Sequence, residues 1–148
     1  MRKNYSNKFI FVDPCVKVKS EYYRETVLKK KFLPWVRRHF RGRHWCFQQD
    51  GAPSYKAEAV LNWIHDTFSE FIKVDISKKK LGQWPPNSPD LNPNDYAIWG
   101  ILEAAIYGKK FNTINELKAA LRRAWSRIDV NVLASAVDNW PKRFRACV

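Results

Sequence analysis

The feature that most constrains this chain is an abrupt change from turn residues to a helical pattern between residues 84 and 99. This stretch, WPPNSPDLNPNDYAIW, contains four of the eight prolines in the chain. Asn92 is a favourable N-cap residue, Pro93 fits the first helical position, and Asp95 then falls in the first turn. Because backbone N–H groups point outward in that turn, the sequence predicts a carboxylate held at the start of a helix.

A second acid, Asp50, follows a short apolar segment. Residues 44–54, HWCFQQDGAPS, are typical of a strand that ends at Asp50, followed by a Gly/Pro turn and a helix opened by Pro53. Active-site carboxylates in α/β folds often lie at the carboxyl ends of strands, where loops meet a crevice. Taken alone, Asp95 is most simply interpreted as an acid that stabilises a helix start. The presence of Asp50 favours a functional interpretation of both residues.

The rest of the chain alternates predicted strands and helices. Strands are predicted at 9–12 and 71–76, in addition to the one that ends at Asp50. Helices are predicted from Glu21 to about Leu33, from Pro53 to about Phe68, from Pro93 to near Gly108, from Thr113 to Ile128, and from Val130 to Asn139. Pro34 is expected to break or kink its helix, and Pro141 to stop the last one. This order predicts an α/β fold with a mixed sheet.

Two of these segments together resemble the paired signatures of the mariner-type transposases. They are QQDGAP at residues 48–53 and WPPNSPDLNPND at residues 84–95, in the same order as in that family. The resemblance implies that residues 1–148 are a single partial catalytic domain. Its fold would be RNase H-like, with a mixed sheet flanked by helices and lacking the first strands. The resemblance also implies that Asp50 and Asp95 are catalytic metal ligands, whereas Asp90 is a structural turn residue.

The implied chemistry is two-metal phosphoryl transfer with Mg²⁺ or Mn²⁺. Two such ions about 3.5–4 Å apart activate the attacking oxygen and stabilise the leaving oxygen. In the family, water first cuts the transposon end, and the freed 3′ hydroxyl then attacks target DNA. The family's first catalytic Asp should lie well upstream of Asp50, and Asp13 is the only Asp before Asp50 here. The dipeptide Asp13-Pro14 favours a turn, so we expect an N-terminally truncated domain that is inactive alone.

The charge distribution indicates a nucleic acid partner, independently of the family resemblance. The net charge is +13, and residues 1–49 contain 13 basic and 3 acidic side chains, whereas residues 50–110 contain 7 and 8. Basic flanks around a segment that keeps its acids suit a polyanion held against bound cations. A solubilising surface is the alternative, but it needs much less charge. The candidate nucleic-acid-binding residues are Lys29, Lys30, Lys31, Arg37, Arg38, Arg41, Arg43, Lys78, Lys79 and Lys80.

By resemblance, the partner is double-stranded DNA, both transposon ends and target DNA, with a possible homodimer and a nuclear location. We expect no membrane partner, because the chain has no run of about 18 apolar residues. Its three cysteines are far apart, which fits a reduced compartment and gives no zinc spacing. The alternative function is a non-catalytic nucleic-acid-binding protein derived from a transposon. A non-functional gene remnant is a third hypothesis.

Overall fold

The computed structural model describes residues 9–73, 84 and 88–146. The chain divides into two compact units. The first unit is Val12–Asn87, and the second combines Met1–Phe11 with Ser88–Val148. Within the described residues, no helix combines the length and the apolar character that crossing a bilayer requires.

The first unit begins with three consecutive helical segments, Ser20–Tyr22, Tyr23–Phe32 and Leu33–Phe40. Lys19 occupies the N-cap of the first segment. The middle segment has π-type hydrogen bonding, in which the N–H of Leu33 donates to the carbonyl of Leu28. Pro34, which has no N–H to donate, follows this π-bonded segment. The helical backbone does not break there, because Leu33 keeps helical backbone angles (φ −58°, ψ −45°).

The core of the first unit packs the first helices against the helix Glu58–Thr67. Its buried members are Tyr23, Leu28, Phe47, Val60, Ile64 and Phe68. Val60 and Ile64 of this helix, and Phe68 at its end, are buried. The helix begins at Glu58 and not at Pro53. Pro53 instead lies in a turn, because the carbonyl of Ala52 already accepts the N–H of Tyr55.

Among the described residues, the strand predictions are represented by a parallel bridge between Phe47 and Phe71, and Trp84 is a further bridge residue. The N–H of Phe47 donates to the carbonyl of Glu70 (3.0 Å), and the N–H of Ile72 donates to the carbonyl of Phe47 (2.9 Å). Among residues 9–73, 84 and 88–146 no longer ladder occurs. The strand predicted at 9–12 is not observed, and residues 74–76 of the last predicted strand lie outside the described residues.

An apolar run of four residues does not distinguish a strand from a packed coil. In the second unit, residues 9–11 are a coil whose aromatic rings contact the helix Ile114–Arg127. The ring of Phe9 meets Trp125 edge-on, with ring centroids 5.6 Å apart. Phe11 lies beneath two cations of the same helix, Lys118 and Arg122. The run is therefore anchored by its aromatic side chains.

The second unit continues with four helical segments: Asn94–Ile98, Trp99–Ile106, Ile114–Arg127 and Val130–Ala146. The predicted cap at Thr113 is confirmed, since its hydroxyl oxygen accepts the N–H of Glu116 (3.2 Å). The prediction that Pro141 stops the last helix is wrong, because the helix continues to Ala146. Because Pro141 has no N–H, the carbonyl of Val137 loses its α-helical hydrogen-bond partner. Both residues are exposed, so water can hydrate that carbonyl. In this helix Ala136 is buried, whereas Val137 is exposed.

Candidate metal and nucleic-acid sites

Asp50 lies in the first unit, directly after the bridged residue Phe47 and the buried Gln49. Its side chain is exposed. Its Oδ1 accepts a hydrogen bond from the N–H of Ala52 (2.9 Å). This local turn fixes one carboxylate oxygen, and Oδ2 is the oxygen that can bind a cation.

The residue before Asp50 is held by a buried hydrogen-bond network. Gln49 is 8% exposed, and its Oε1 accepts the hydroxyl proton of Tyr23 (3.0 Å), which is 7% exposed. The Nε2 of Gln49 donates to the backbone carbonyl of Tyr55 (3.2 Å). The rings of Tyr23 and Tyr55 stack with centroids 4.0 Å apart. The network therefore joins the first helices to the backbone on both sides of Asp50.

Burial and the charge of Asp50 affect the pKa values of both phenols, Tyr23 and Tyr55. Burial, the neighbouring Tyr55 and then the charge of Asp50 raise the pKa of Tyr23. Burial and then the charge of Asp50 raise the pKa of Tyr55. Each cause disfavours a second negative charge at this place. The two hydroxyl groups therefore stay protonated beside the carboxylate.

Asp95 lies in the second unit, in the first turn of the segment Asn94–Ile98, as predicted. The side-chain oxygen of Asn92 accepts the N–H of Asn94 (3.2 Å), and the backbone carbonyl of Asn92 accepts the N–H of Asp95 (2.9 Å). Asn92 thus performs the helix-start role that the sequence indicates. The Asp95 side chain is exposed at this helix start.

The turn before Asp95 is tied to the last helix. The guanidinium of Arg143 lies over the ring of Tyr96, 4.0 Å from its centroid, and donates to the backbone carbonyl of Asp90 (3.3 Å). The hydroxyl of Tyr96 donates to the carbonyl of Ala136. Asp90 takes part in this arrangement through its backbone, which agrees with a structural role for the turn. Tyr96 and Arg143 are supporting residues that sequence reasoning missed, because their partners are distant in the chain.

The donor chemistry of Asp50 and Asp95 fits hard divalent cations. Mg²⁺ and Mn²⁺ prefer oxygen ligands, and both acids are exposed carboxylates on locally fixed backbone. Within the described part of the chain, no cluster of three or more His, Cys, Asp or Glu side chains is arranged to hold a metal. Asp13, the other acid considered, is exposed, and its carbonyl accepts the N–H of Val16 (2.9 Å) in the predicted turn.

The candidate nucleic-acid-binding residues of the first unit differ in availability. Lys29 already pairs with Glu25 (2.8 Å) and is half-buried, whereas Lys30 and Lys31 are exposed. Arg37 and Arg38 are exposed on the segment Leu33–Phe40. Lys78, Lys79 and Lys80 lie outside the described residues.

Arg41 and Arg43 are exposed just beyond the end of the segment Leu33–Phe40. Arg41 adopts a left-handed backbone conformation (φ 44°), and its side chain donates to the carbonyl of Arg38. The side chain of Arg43 donates to the carbonyls of Phe40 and His39. These bonds place cations at the negative pole of the helix, and each guanidinium keeps further N–H groups for a phosphate.

Comparison with known proteins shows that the chain is similar in sequence to transposases of transposable elements. It is 32% identical over 127 residues to the transposable element Tcb1 transposase of Caenorhabditis briggsae, covering 86% of this chain and 42% of that protein. It is 35% identical over 121 residues to the Tc3 transposase of Caenorhabditis elegans, covering 80% of this chain and 33% of that protein. The chain therefore spans less than half the length of these curated relatives. No family model matches the chain.

Solved structures show the same relationship at the level of the fold. The catalytic domain of Mos1 mariner transposase matches with a TM-score of 0.74 at 21% identity, over 93% of this chain and 64% of that chain. A Mos1 paired-end complex with the left transposon end matches with a TM-score of 0.76 at 21% identity, over 93% of this chain and 37% of that chain. The Mos1 structures also include a paired-end complex with Mn.

The fold is that of a transposase catalytic domain. Together with the sequence identities, it shows that the chain is a homologue of the Tc1/mariner transposases and shares the fold of the Mos1 catalytic domain. The predicted resemblance of the chain to the mariner-type transposases is thereby confirmed.

Proposed function

We propose that Asp50 and Asp95 are two carboxylates of a divalent-metal site for DNA strand cleavage and 3′-hydroxyl transfer. The observation that carries this proposal is their local placement within the shared fold. Each acid lies where a turn or helix start fixes the backbone, in a chain that matches the Mos1 catalytic domain over 93% of its length. Mg²⁺ or Mn²⁺ bound there would supply the positive charge that phosphoryl transfer requires.

The proposal includes the finer features of the fold. We propose that the parallel bridge between Phe47 and Phe71 belongs to the mixed sheet of an RNase H-like domain, and that both compact units form this single domain over residues 1–148. A sheet would place Asp50 at a carboxyl end of a strand, where α/β proteins commonly bind ligands.

The proposed partners are double-stranded DNA, both transposon ends and target DNA, and a second copy of the chain. The proposed location is the nucleus. The net charge of +13 supports a DNA partner. In the first unit, the exposed Lys30, Lys31, Arg37 and Arg38 are the side chains best placed to bind phosphates. The paired-end complexes of Mos1 support a DNA-bound assembly by analogy.

Binding of Mn²⁺ by the purified chain tests the metal site, with free Mn²⁺ measured by electron paramagnetic resonance. Asp50→Asn and Asp95→Asn should each weaken Mn²⁺ binding by at least about tenfold. Substitution of residues that only hydrogen-bond to metal ligands already weakens metal affinity by that much. Two matched controls are Asp66→Asn in the first unit and Asp138→Asn in the second, both of exposed acids. Unchanged binding in Asp50→Asn and Asp95→Asn would refute the site.

We further propose that this 148-residue polypeptide does not cut DNA by itself. Positioning by a complete set of metal ligands is most of the catalytic mechanism, so two acids should give little turnover. A labelled duplex incubated with the protein and Mg²⁺ or Mn²⁺ should show no specific cleavage. Robust cutting that disappears in Asp50→Asn would overturn this expectation, and its loss in Asp13→Asn would identify Asp13 as the third acid.

The second candidate function is non-catalytic nucleic acid binding. The exposed cations around the end of the segment Leu33–Phe40 favour it, because such binding needs only charge and stacking groups. The rings of Trp35 and His39 also stack there, with centroids 4.8 Å apart. A DNA affinity that is insensitive to Mn²⁺ and unchanged in Asp50→Asn would favour this function over the metal-dependent one.

A further inference from the structure

The network of Tyr23, Gln49 and Tyr55 connects the first helices of the first unit to the segment on both sides of Asp50. Tyr23 and Gln49 are separated by 26 positions, and their side chains share a buried hydrogen bond of 3.0 Å. Gln49 also donates to the carbonyl of Tyr55, six residues further on (3.2 Å). These two bonds use both ends of one buried amide. Residues 50–54 form the loop that the second bond closes.

We propose that Tyr23 and Gln49 are positioning residues that hold the Asp50 carboxylate in the orientation that binds a divalent cation. This inference rests on the proposed metal site at Asp50. Neither side chain touches the cation itself. Their effect passes through the Gln49 backbone and through the closed loop that contains Asp50.

The geometry of the loop supports this role. Gln49 is buried and its neighbour Asp50 is exposed, so the amide is anchored in the protein interior while the carboxylate faces solvent. Inside the loop, Asp50 Oδ1 accepts the N–H of Ala52 (2.9 Å). At its far end, the hydroxyl of Ser54 donates to the carbonyl of Val18. The carboxylate is therefore held within a loop that is fixed at both ends.

The charge of Asp50 also acts on the phenols of Tyr23 and Tyr55. It contributes to the raised pKa of Tyr23, after burial and Tyr55, and to the raised pKa of Tyr55, after burial. The protonated hydroxyl of Tyr23 is the donor that Gln49 Oε1 requires. In this orientation the amide leaves its NH₂ group for the carbonyl of Tyr55. One phenol thus determines which way the amide faces.

The simpler interpretation is that the hydrogen bonds only satisfy buried polar groups. Under that interpretation, removal of the Tyr23 hydroxyl lowers stability and leaves cation binding unchanged. Under the positioning role, it also weakens binding by about tenfold, as is typical for groups that orient metal ligands. The two interpretations therefore differ in a measurable property.

The test measures Mn²⁺ affinity in the wild-type chain, Tyr23→Phe, Gln49→Met and Asp50→Asn, with electron paramagnetic resonance of free Mn²⁺ as the readout. Tyr23→Phe keeps the ring that stacks on Tyr55. Tyr22→Phe is the matched control on the neighbouring residue. Ile64→Val, at a core residue that is 1% exposed, controls for a loss of stability without a change near Asp50.

A second readout is hydrogen exchange at the Ala52 amide, which donates to Asp50. We expect it to accelerate in Tyr23→Phe and Gln49→Met and to stay near the wild-type rate in both controls. This measurement does not depend on metal binding. It judges the positioning of the carboxylate even if the wild-type chain binds no Mn²⁺, a result that would refute the proposed function.

About tenfold weaker Mn²⁺ binding in Tyr23→Phe and Gln49→Met, with wild-type affinity in the controls, supports the positioning role. Wild-type affinity in both variants, combined with a loss in Asp50→Asn, overturns the positioning role and leaves the proposed metal site standing. If Tyr23→Phe does not fold, Gln49→Met decides between the two outcomes. An Ala52 amide that exchanges equally in all folded variants also overturns the positioning role.

Discussion

The guanidinium of Arg143 lies 4.0 Å from the centroid of the Tyr96 ring. The same side chain donates to the backbone carbonyl of Asp90 (3.3 Å), and the hydroxyl of Tyr96 donates to the carbonyl of Ala136. The last helix therefore contacts the chain both before and after Asp95. Replacement of the Arg143 side chain should weaken these contacts.

Arg143→Ala should lower the free energy of unfolding by about 1 kcal/mol, the scale of a partly exposed cation–π contact. Urea unfolding followed by circular dichroism measures this change. Arg145→Ala is the matched control, because Arg145 is also exposed on the same helix and should shift stability by less than about 0.5 kcal/mol. Equal effects of the two substitutions would show that the contact with Tyr96 does not stabilise the fold.

Leu28 is 1% exposed in the core of the first unit. Leu28→Ala removes buried methyl groups and leaves a cavity, so the free energy of unfolding should fall by about 2–5 kcal/mol. Val16→Ala, at a residue of the same unit that is 37% exposed, should cost much less. Thermal or urea unfolding checks both variants. A cost below about 1 kcal/mol for Leu28→Ala would contradict the packing described for this core.

The raised pKa of Tyr23 predicts a loss of stability in alkali. Burial, Tyr55 and Asp50 raise the folded-state pKa above the unfolded value of about 10. The stabilisation is therefore complete below about pH 10 and is lost as the pH rises towards the folded-state value. Tyr23→Phe should be less stable than wild type by about 1 kcal/mol near neutral pH, through loss of a hydrogen bond.

This deficit of Tyr23→Phe should shrink above about pH 10, because only the wild-type chain must then keep the Tyr23 phenol protonated. Unfolding free energies of both proteins between about pH 8 and pH 11 measure the trend. A deficit that stays constant across this range would contradict the link between Tyr23 burial and stability.

DNA binding should depend on Arg37 and Arg38 more than on Lys29. Both arginines are exposed, whereas Lys29 is paired with Glu25 at 2.8 Å. Arg37→Ala combined with Arg38→Ala should reduce the salt slope of duplex binding by about 2, because each phosphate contact contributes about one unit. Fluorescence anisotropy over a salt series measures the slope. A larger loss in Lys29→Ala than in the double variant would contradict this assignment.

Local chemistry made part of this structure predictable. Asn92 and Thr113 accept backbone N–H groups as their residue types indicate, since capping depends on neighbours in sequence. The prolines were less informative, because Pro34 follows a π-bonded segment and Pro141 lies on an exposed helix. At Pro141, exposure of the unpaired carbonyl to water lowers the cost on which the prediction depended.

The network at Asp50 was not predicted, although one signal pointed to it. Gln49 lies two residues after the apolar Phe47, so in a strand both side chains face the same side. This spacing indicates a buried amide, which needs hydrogen-bond partners. The identity of those partners, Tyr23 and the carbonyl of Tyr55, depends on packing between segments that are distant in sequence. Periodicity within one segment carries no such information.

The most direct test of the central claim is a crystal structure of the chain soaked in MnCl₂, read by anomalous scattering. The account predicts a Mn²⁺ peak at about 2.2 Å from carboxylate oxygens of both Asp50 and Asp95. The peak should disappear in crystals of Asp50→Asn. A Mn²⁺ ion bound by only one of these acids, or two carboxylates too far apart to share a metal site, would contradict the account.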